Sequence, residues 1–200
     1  SAYDPVTINS FVAIARFTRF GRLDDTFSGD GKLLLAESVI DNVPDGNGLV
    51  LQSDGKIVVA GHISNGTDRD FVVVRLNANG TLDNTFGTNG RVMMNIGGED
   101  YLYGITQQAD GKILLVGNSI QNAVIKIIVV RLNATDGSLD NTFDADGKME
   151  ILTTNCFDNT SIGGVENKKS NQRRAALNCS ERAYNIHILS NNKIVLSGSI

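Results

Sequence analysis

Two hundred residues, 41% of them hydrophobic, are enough to bury a sizeable core, and that composition excludes a disordered chain. A formal charge of -4 argues against nucleic acid as a partner, because phosphates call for a dense Lys and Arg surface. The longest apolar run, 127–130 with its flanks, is interrupted by Lys126 and Arg131, so no segment approaches the roughly 20 apolar residues of a membrane helix.

Twenty-one Gly against two Pro, with no Trp, suit short strands joined by tight turns. In chain order, a lead-in over 1–10 is followed by two strand-like runs, 12–17 and 32–36. Further on, runs rich in Val, Ile, Leu or Tyr stand at 102–107, 112–118, 127–132 and 148–152, each bounded by turn residues. Two more follow at 184–189 and 193–199. Asp54-Gly55 and Asp110-Gly111 read as type I′ hairpin turns, and Asn191-Asn192 substitutes for them because Asn tolerates positive φ. The chain begins at Ser1 rather than Met, so a missing leader says nothing about compartment.

These runs belong to a repeat. Residues 71–90 recur upstream as 12–31 and downstream as 127–147, and a second phrase at 52–61 returns as 108–117 and, more worn, as 189–198. An offset of 59 carries Arg16 to Arg75, Gly21 to Gly80, Leu23 to Leu82, Asp24 to Asp83, Phe27 to Phe86 and Gly31 to Gly90. From Arg75 to Arg131 the offset is 56, and from Asp83 to Asp140 it is 57, which places one extra residue in the turn at 133–137. Insertions are absorbed in turns, not strands. Four antiparallel strands in each repeat of this length define a propeller blade, so the expected fold is all-β, a single propeller array over 11–200. Its repeats run at about 12–70, 71–126 and 127–200, with an inserted loop at 153–178.

The phrase Phe71-x-x-x-Arg75-x-Asn77-x-x-Gly80-x-Leu82-Asp83-x-Thr85-Phe86-Gly87-x-x-Gly90-Arg91-Val92, with Gln108-x-Asp110-Gly111-Lys112-Ile113-x-x-x-Gly117, resembles the delta-60 repeat. That resemblance implies a bacterial β-propeller family of mostly surface or secreted proteins, without assigned activity and with no catalytic residue to transfer. The repeat departs from its pattern where Ser28 and Asp144 follow Phe27 and Phe143 in place of Gly. Similarity to NHL-type propellers sets the blade phase, with the strand before Asp-Gly-Lys as the inner strand A. The array then reads as strands C and D, two whole blades, and a closing A and B. Three blades fall below the usual four to eight. The expected alternatives are a fragment of a longer propeller and a homo-oligomer, such as half of a six-bladed ring in which one protomer's half-blade completes another's.

Recurrent Arg16, Arg75 and Arg131 with Asp24, Asp83 and Asp140 read as structural salt bridges tying strand C to the turn before D, because active sites are seldom written once per blade. Phe27, Phe86 and Phe143 read as inter-blade anchors. The stretches 144–147 and 28–31 faintly resemble calcium loops, but glycine-bearing turns explain them without metal, and no cofactor is expected. His62 and His187 are the only histidines, which leaves a hydrolase as a weak alternative. The non-repeated 153–178 is bordered by Cys156 and Cys179, which are expected to form a disulfide outside the reducing cytosol. It carries Lys168, Lys169, Arg173 and Arg174, consistent either with an anionic partner or neighbouring subunit or with a solvated stapled loop. In propeller topology this insertion, a D-to-A connection, emerges on the same face as the B-to-C connections, and other connections there bring Asp41 and Asp45, Asp68 and Asp70, and Glu99, Asp100 and Tyr101; such loops suit a sugar or a cation, or are ordinary soluble loops. The expected protein is a non-enzymatic module, extracellular, at the cell surface or periplasmic, that binds protein subunits or surface glycans on this face. The alternative is a structural subunit that assembles by half-blade complementation.

Overall fold

The computed structural model describes residues 12–36, 40, 48–122, 124–152 and 182–199. Among these residues lie twelve strands in four antiparallel sheets, all β. The first sheet pairs β1 (Val12–Ala15) with β2 (Lys32–Leu35). The second is a meander of β3 (Leu49–Leu51), β4 (Ile57–Ser64), β5 (Arg69–Leu76) and β6 (Arg91–Met94). The third repeats it with β7 (Glu99–Gln107), β8 (Ile113–Gln121), β9 (Val124–Leu132) and β10 (Lys148–Leu152). The last pairs β11 (Arg182–Ile188) with β12 (Ile194–Ser199). Two whole blades flanked by half-blades are thus the architecture that the repeat spacing implied.

The sheets stack face to face because their central strands are apolar on both sides. In β4 and β5, Val58, Ala60, Phe71 and Val73 face the third sheet, while Ile57, Val59, Val72, Val74 and Leu76 face the first. In β8 and β9, Ile113, Leu115, Ile128, Val130 and Leu132 close the seam between the two whole blades. Leu114, Val116 and Val129 turn the other way, onto Ala183 and Ile186 of the last half-blade. Alternation with period two therefore fills three seams in succession rather than one core and one wet face.

Two expectations about local geometry change. Gly55 lies at φ +85° and Gly111 at +88°, but Asp54 and Asp110 are not left-handed, and the Gly55 and Gly111 N–H groups donate to the Gln52 and Gln108 carbonyls. These are longer turns ending in one left-handed residue, not the two-residue type I′ turn, which needs positive φ at both centres. Asn192, at φ +61°, fills that place in the last hairpin. The hairpins β4–β5 and β8–β9 also run further outward than the apolar runs suggested. Pairing continues to Ser64↔Arg69 and Gln121↔Val124, where the backbone ladder runs on past polar residues such as Ser64, Arg69 and Gln121.

The recurrent charges bind blade to blade. Arg16, Arg75 and Arg131 donate from Nε to Oδ2 of Asp24, Asp83 and Asp140 at 2.9, 2.7 and 2.6 Å. Each aspartate's other oxygen accepts from the hydroxyl of Thr26, Thr85 or Thr142, and each guanidinium lies over Phe27, Phe86 or Phe143. Arg16 then reaches the Ala78 carbonyl in the next blade, and Arg75 reaches the Ala134 and Thr135 carbonyls in the one after. Phe27 seats on Gly80 and Phe86 on Gly137, where a Cβ would stand 3.0 Å and 2.8 Å from the ring. Two backbone bonds complete the latch, Ser28 N–H to Asn79 O and Gly87 N–H to Asp136 O.

Candidate functional site

Burial alone would raise the Asp83 carboxyl, but the Thr85 hydroxyl and N–H and the charges of Arg75 and Lys56 outweigh it and hold it at about 2. Asp140 is held well below the usual carboxylate range, chiefly by the Thr142 hydroxyl, against burial and with help from Lys112 and Arg131. The Thr26 hydroxyl leads in lowering Asp24. These arginines and carboxylates are paired with one another and packed on phenylalanine, which suits a structural latch and leaves no group poised to react.

A different cluster forms where the outer end of the β4–β5 hairpin meets the start of β7. The turn between β4 and β5 is shaped by Asn65, whose side-chain oxygen accepts from the Thr67 and Asp68 N–H groups and whose amide donates to Asp68 and Asp70. Next to it, Arg69 Nη1 lies 3.0 Å from Glu99 Oε2 and 3.3 Å from the Tyr101 hydroxyl. The Arg69 guanidinium stands over the Tyr101 ring at 5.4 Å, and His62 meets the same ring edge-on at 5.4 Å. Behind this half-exposed rim, Asp70 and Asp100 are buried, and one carboxylate oxygen of each has no hydrogen-bond partner among the described residues. Burial pushes the Asp100 carboxyl up, against its bonds from Ser119 and the Ile96 N–H, and the charges of Asp70 and Asp68 push the same way.

Five of the residues singled out in the sequence are therefore neighbours: Asp68 and Asp70 from one blade, Glu99, Asp100 and Tyr101 from the next. Arg69 completes the cluster and went unread, and it is joined by His62, which was read only as one of the two histidines. Nothing in their repeat position marks them, since each acts across a seam through a residue the other copies lack. Asp41, Asp45, Lys168, Lys169, Arg173 and Arg174 lie outside the described residues, as do Cys156, Cys179 and the insertion itself. The two histidines stand on β4 and β11, in different sheets. Asp30 and Asp146, in the stretches resembling calcium loops, accept from the Lys32 and Lys148 N–H groups at 2.9 Å and cap the strand starts. Among the described residues, no group of three or more His, Cys, Asp and Glu side chains is placed to hold a metal ion.

Four-stranded meanders stacked face to face, with the same latch in successive blades, make this chain a β-propeller array. A family described as a β-propeller domain of unknown function (DUF5122) matches residues 52–86 and 108–143, the central hairpin (β4–β5 or β8–β9) and the latch of each whole blade. These two segments resemble that family, in keeping with the propeller resemblance read from the motifs. No curated protein matches the chain.

Proposed function

We propose that this propeller is a non-enzymatic, extracytoplasmic binding module whose partner, a protein subunit or a surface glycan, docks on the face where strands D lead to A and B to C. The observation that carries the reading is the cluster of Arg69, Glu99 and Tyr101, which joins two blades at that face while leaving charged and aromatic groups half-exposed. Such a rim presents carboxylate acceptors, guanidinium donors and a phenol together, the mixture that reads hydroxyl and amide groups of a partner. The buried Asp70 and Asp100 behind it hold negative potential in a low-dielectric setting. The 153–178 connection joins β10 to β11 as a D-to-A link, in the same sense as the link from β6 to β7 that borders the cluster.

Rigid scaffolds concentrate function in the loops they hold, and here the scaffold's own recurrent charges are consumed in latches. A glycan array, together with affinity capture by the intact chain, tests the reading. Bound ligand lost on Glu99→Ala and Tyr101→Ala supports it. No ligand by either route, or binding indifferent to both substitutions, overturns it.

A further inference from the structure

The acidic cluster of the central seam is not something the repeat requires. By register, the long hairpin of the second whole blade carries Val124, Ile125 and Lys126 where that of the first carries Asp68, Arg69 and Asp70. In the second blade the charge at this place is answered, since Lys126 meets Glu150 of the neighbouring strand at 2.9 Å. The same backbone ladder forms in both blades, so the ladder does not explain the acids of the first.

Charge around those acids is out of balance. Four carboxylates, of Asp68, Asp70, Glu99 and Asp100, gather about one guanidinium, that of Arg69, which pairs with Glu99. Asp70 and Asp100 are both buried, and among the described residues neither forms an ion pair. Asp70 turns one oxygen to the Asn65 amide that also holds Asp68, and Asp100 accepts from the Ile96 N–H at 2.7 Å. The Oδ1 of each has no hydrogen-bond partner among the described residues. The charges of Asp70 and Asp68 reach Asp100, which puts the three in one field. Buried carboxylates without a counter-charge project their potential through a low-dielectric wall, here toward the half-exposed rim of Asp68, Glu99 and Tyr101.

We propose that this rim seats a basic side chain, an arginine or lysine presented by a protein partner, whose cation supplies the counter-charge that the seam lacks. The inference rests on the binding face proposed above and names its partner's chemistry. Glu99 already offers an oxygen to one guanidinium, that of Arg69, at 3.0 Å, and the Tyr101 ring already carries that cation at 5.4 Å from its centre. A second cation finds the same kinds of group there, with the Asp68 carboxylate beside them. A neutral sugar would leave the excess charge unanswered, and an anionic one would add to it. A metal ion needs several ligands converging on one point, and among the described residues no three His, Cys, Asp or Glu side chains do so. A basic side chain needs no such convergence, because its charge sits on a long stem and bonds to one or two carboxylates at a time.

The test titrates the intact chain into labelled short peptides of mixed flanking sequence whose central residue is arginine, lysine, citrulline or glutamate, read by fluorescence anisotropy. Arginine and lysine peptides are expected to bind, citrulline peptides about tenfold more weakly, and glutamate peptides not at all. Raising salt from about 50 to about 300 mM is expected to weaken the binding. Asp70→Asn and Asp100→Asn each remove one buried charge at nearly constant shape, and each is expected to raise the dissociation constant by about tenfold. Arg69→Gln withdraws the internal competitor for Glu99 and is expected to lower it by about threefold, a change of sign that a disturbed seam would not produce. Circular dichroism identifies any variant that fails to fold, and the citrulline comparison on wild type stands without the variants. Citrulline bound as tightly as arginine, no basic peptide bound, or a constant raised alike by Arg69→Gln and Asp100→Asn would each overturn the proposal. A glycan bound by wild type and lost on Glu99→Ala, with no basic peptide bound, overturns this inference and leaves the binding face standing; no ligand of any kind overturns both.

Discussion

The latch at Arg75 and the latch at Arg131 are built from the same residues and do different work. The Arg75 side chain is 3% exposed, and its guanidinium spans Asp83, Thr85 and two carbonyls of the next blade. The Arg131 side chain is 17% exposed and, among the described residues, bonds within its own hairpin. What separates them is the neighbour: beyond the blade of β7–β10 the described residues hold only the strand pair β11–β12, and no C-to-D turn among them accepts the guanidinium. The latch is therefore a seam device rather than a property of the repeat. Its strength depends on which blade stands beyond it.

The largest expected effect is at the anchors. Phe86→Ala removes a wholly buried ring from the central seam and should cost about 3–5 kcal/mol in chemical denaturation. Phe143→Ala should cost clearly less, since its ring is partly exposed. Equal losses would show that the two latches are equivalent after all. Next come the arginines. Arg75→Ala leaves the buried Asp83 with Lys56 as its one remaining counter-charge among the described residues and should cost about 3 kcal/mol, whereas the half-exposed Arg16→Ala should cost about 1 kcal/mol or less. A third pair sharpens the contrast by geometry. A Cβ on Gly137 would stand 2.6 Å from Val92 Cγ2 and 2.8 Å from Phe86, while one on Gly21 meets nothing within 4 Å. Both glycines have positive φ, so Gly21→Ala should show only the backbone cost of about 1 kcal/mol. Gly137→Ala adds the clash and should exceed it by about 1–3 kcal/mol.

What the sequence made legible follows from distance along the chain. Arg75 and Asp83 are eight residues apart, and Thr85 and Phe86 follow directly, so the half of the latch within one hairpin is written as a local phrase and repeats visibly. Its other half is the Ala134 carbonyl, 59 residues away and a backbone group that any residue supplies, so no pattern announces it. The hairpin turns were half legible for a similar reason. Asp-Gly marks a turn, but both the two-residue and the longer form accept it, and the choice rests on where the flanking strands end. At the candidate site, Asp68, Asp70, Glu99, Asp100 and Tyr101 stood out as acid-rich loops beside an aromatic. Arg69 reads as an ordinary strand residue until β7 brings Glu99 and Tyr101 beside it from the next blade.

The smallest effects expected lie in pH, where the central seam carries two carboxylates of opposite leaning. Asp83, held at about 2 against an ordinary value of 3.8, stabilises the fold fully above pH 3.8 and loses that contribution as pH falls toward 2. Asp100 has the reverse sign: its raised carboxyl favours folding below its unfolded value and weakens it as pH rises through the folded one. Thermal melts should therefore show Asp83→Asn flattening the acid limb of the stability curve. Asp100→Asn should raise the melting temperature at pH 7 by a few degrees, because an amide removes the buried charge and still accepts from the Ile96 N–H. An Asp100→Asn chain less stable at pH 7 would mean that the buried charge is matched by a group not yet identified. If the variant is more stable but loses its ligand, the latch side of the seam is built for stability, and the face opposite keeps an unfavourable charge for recognition.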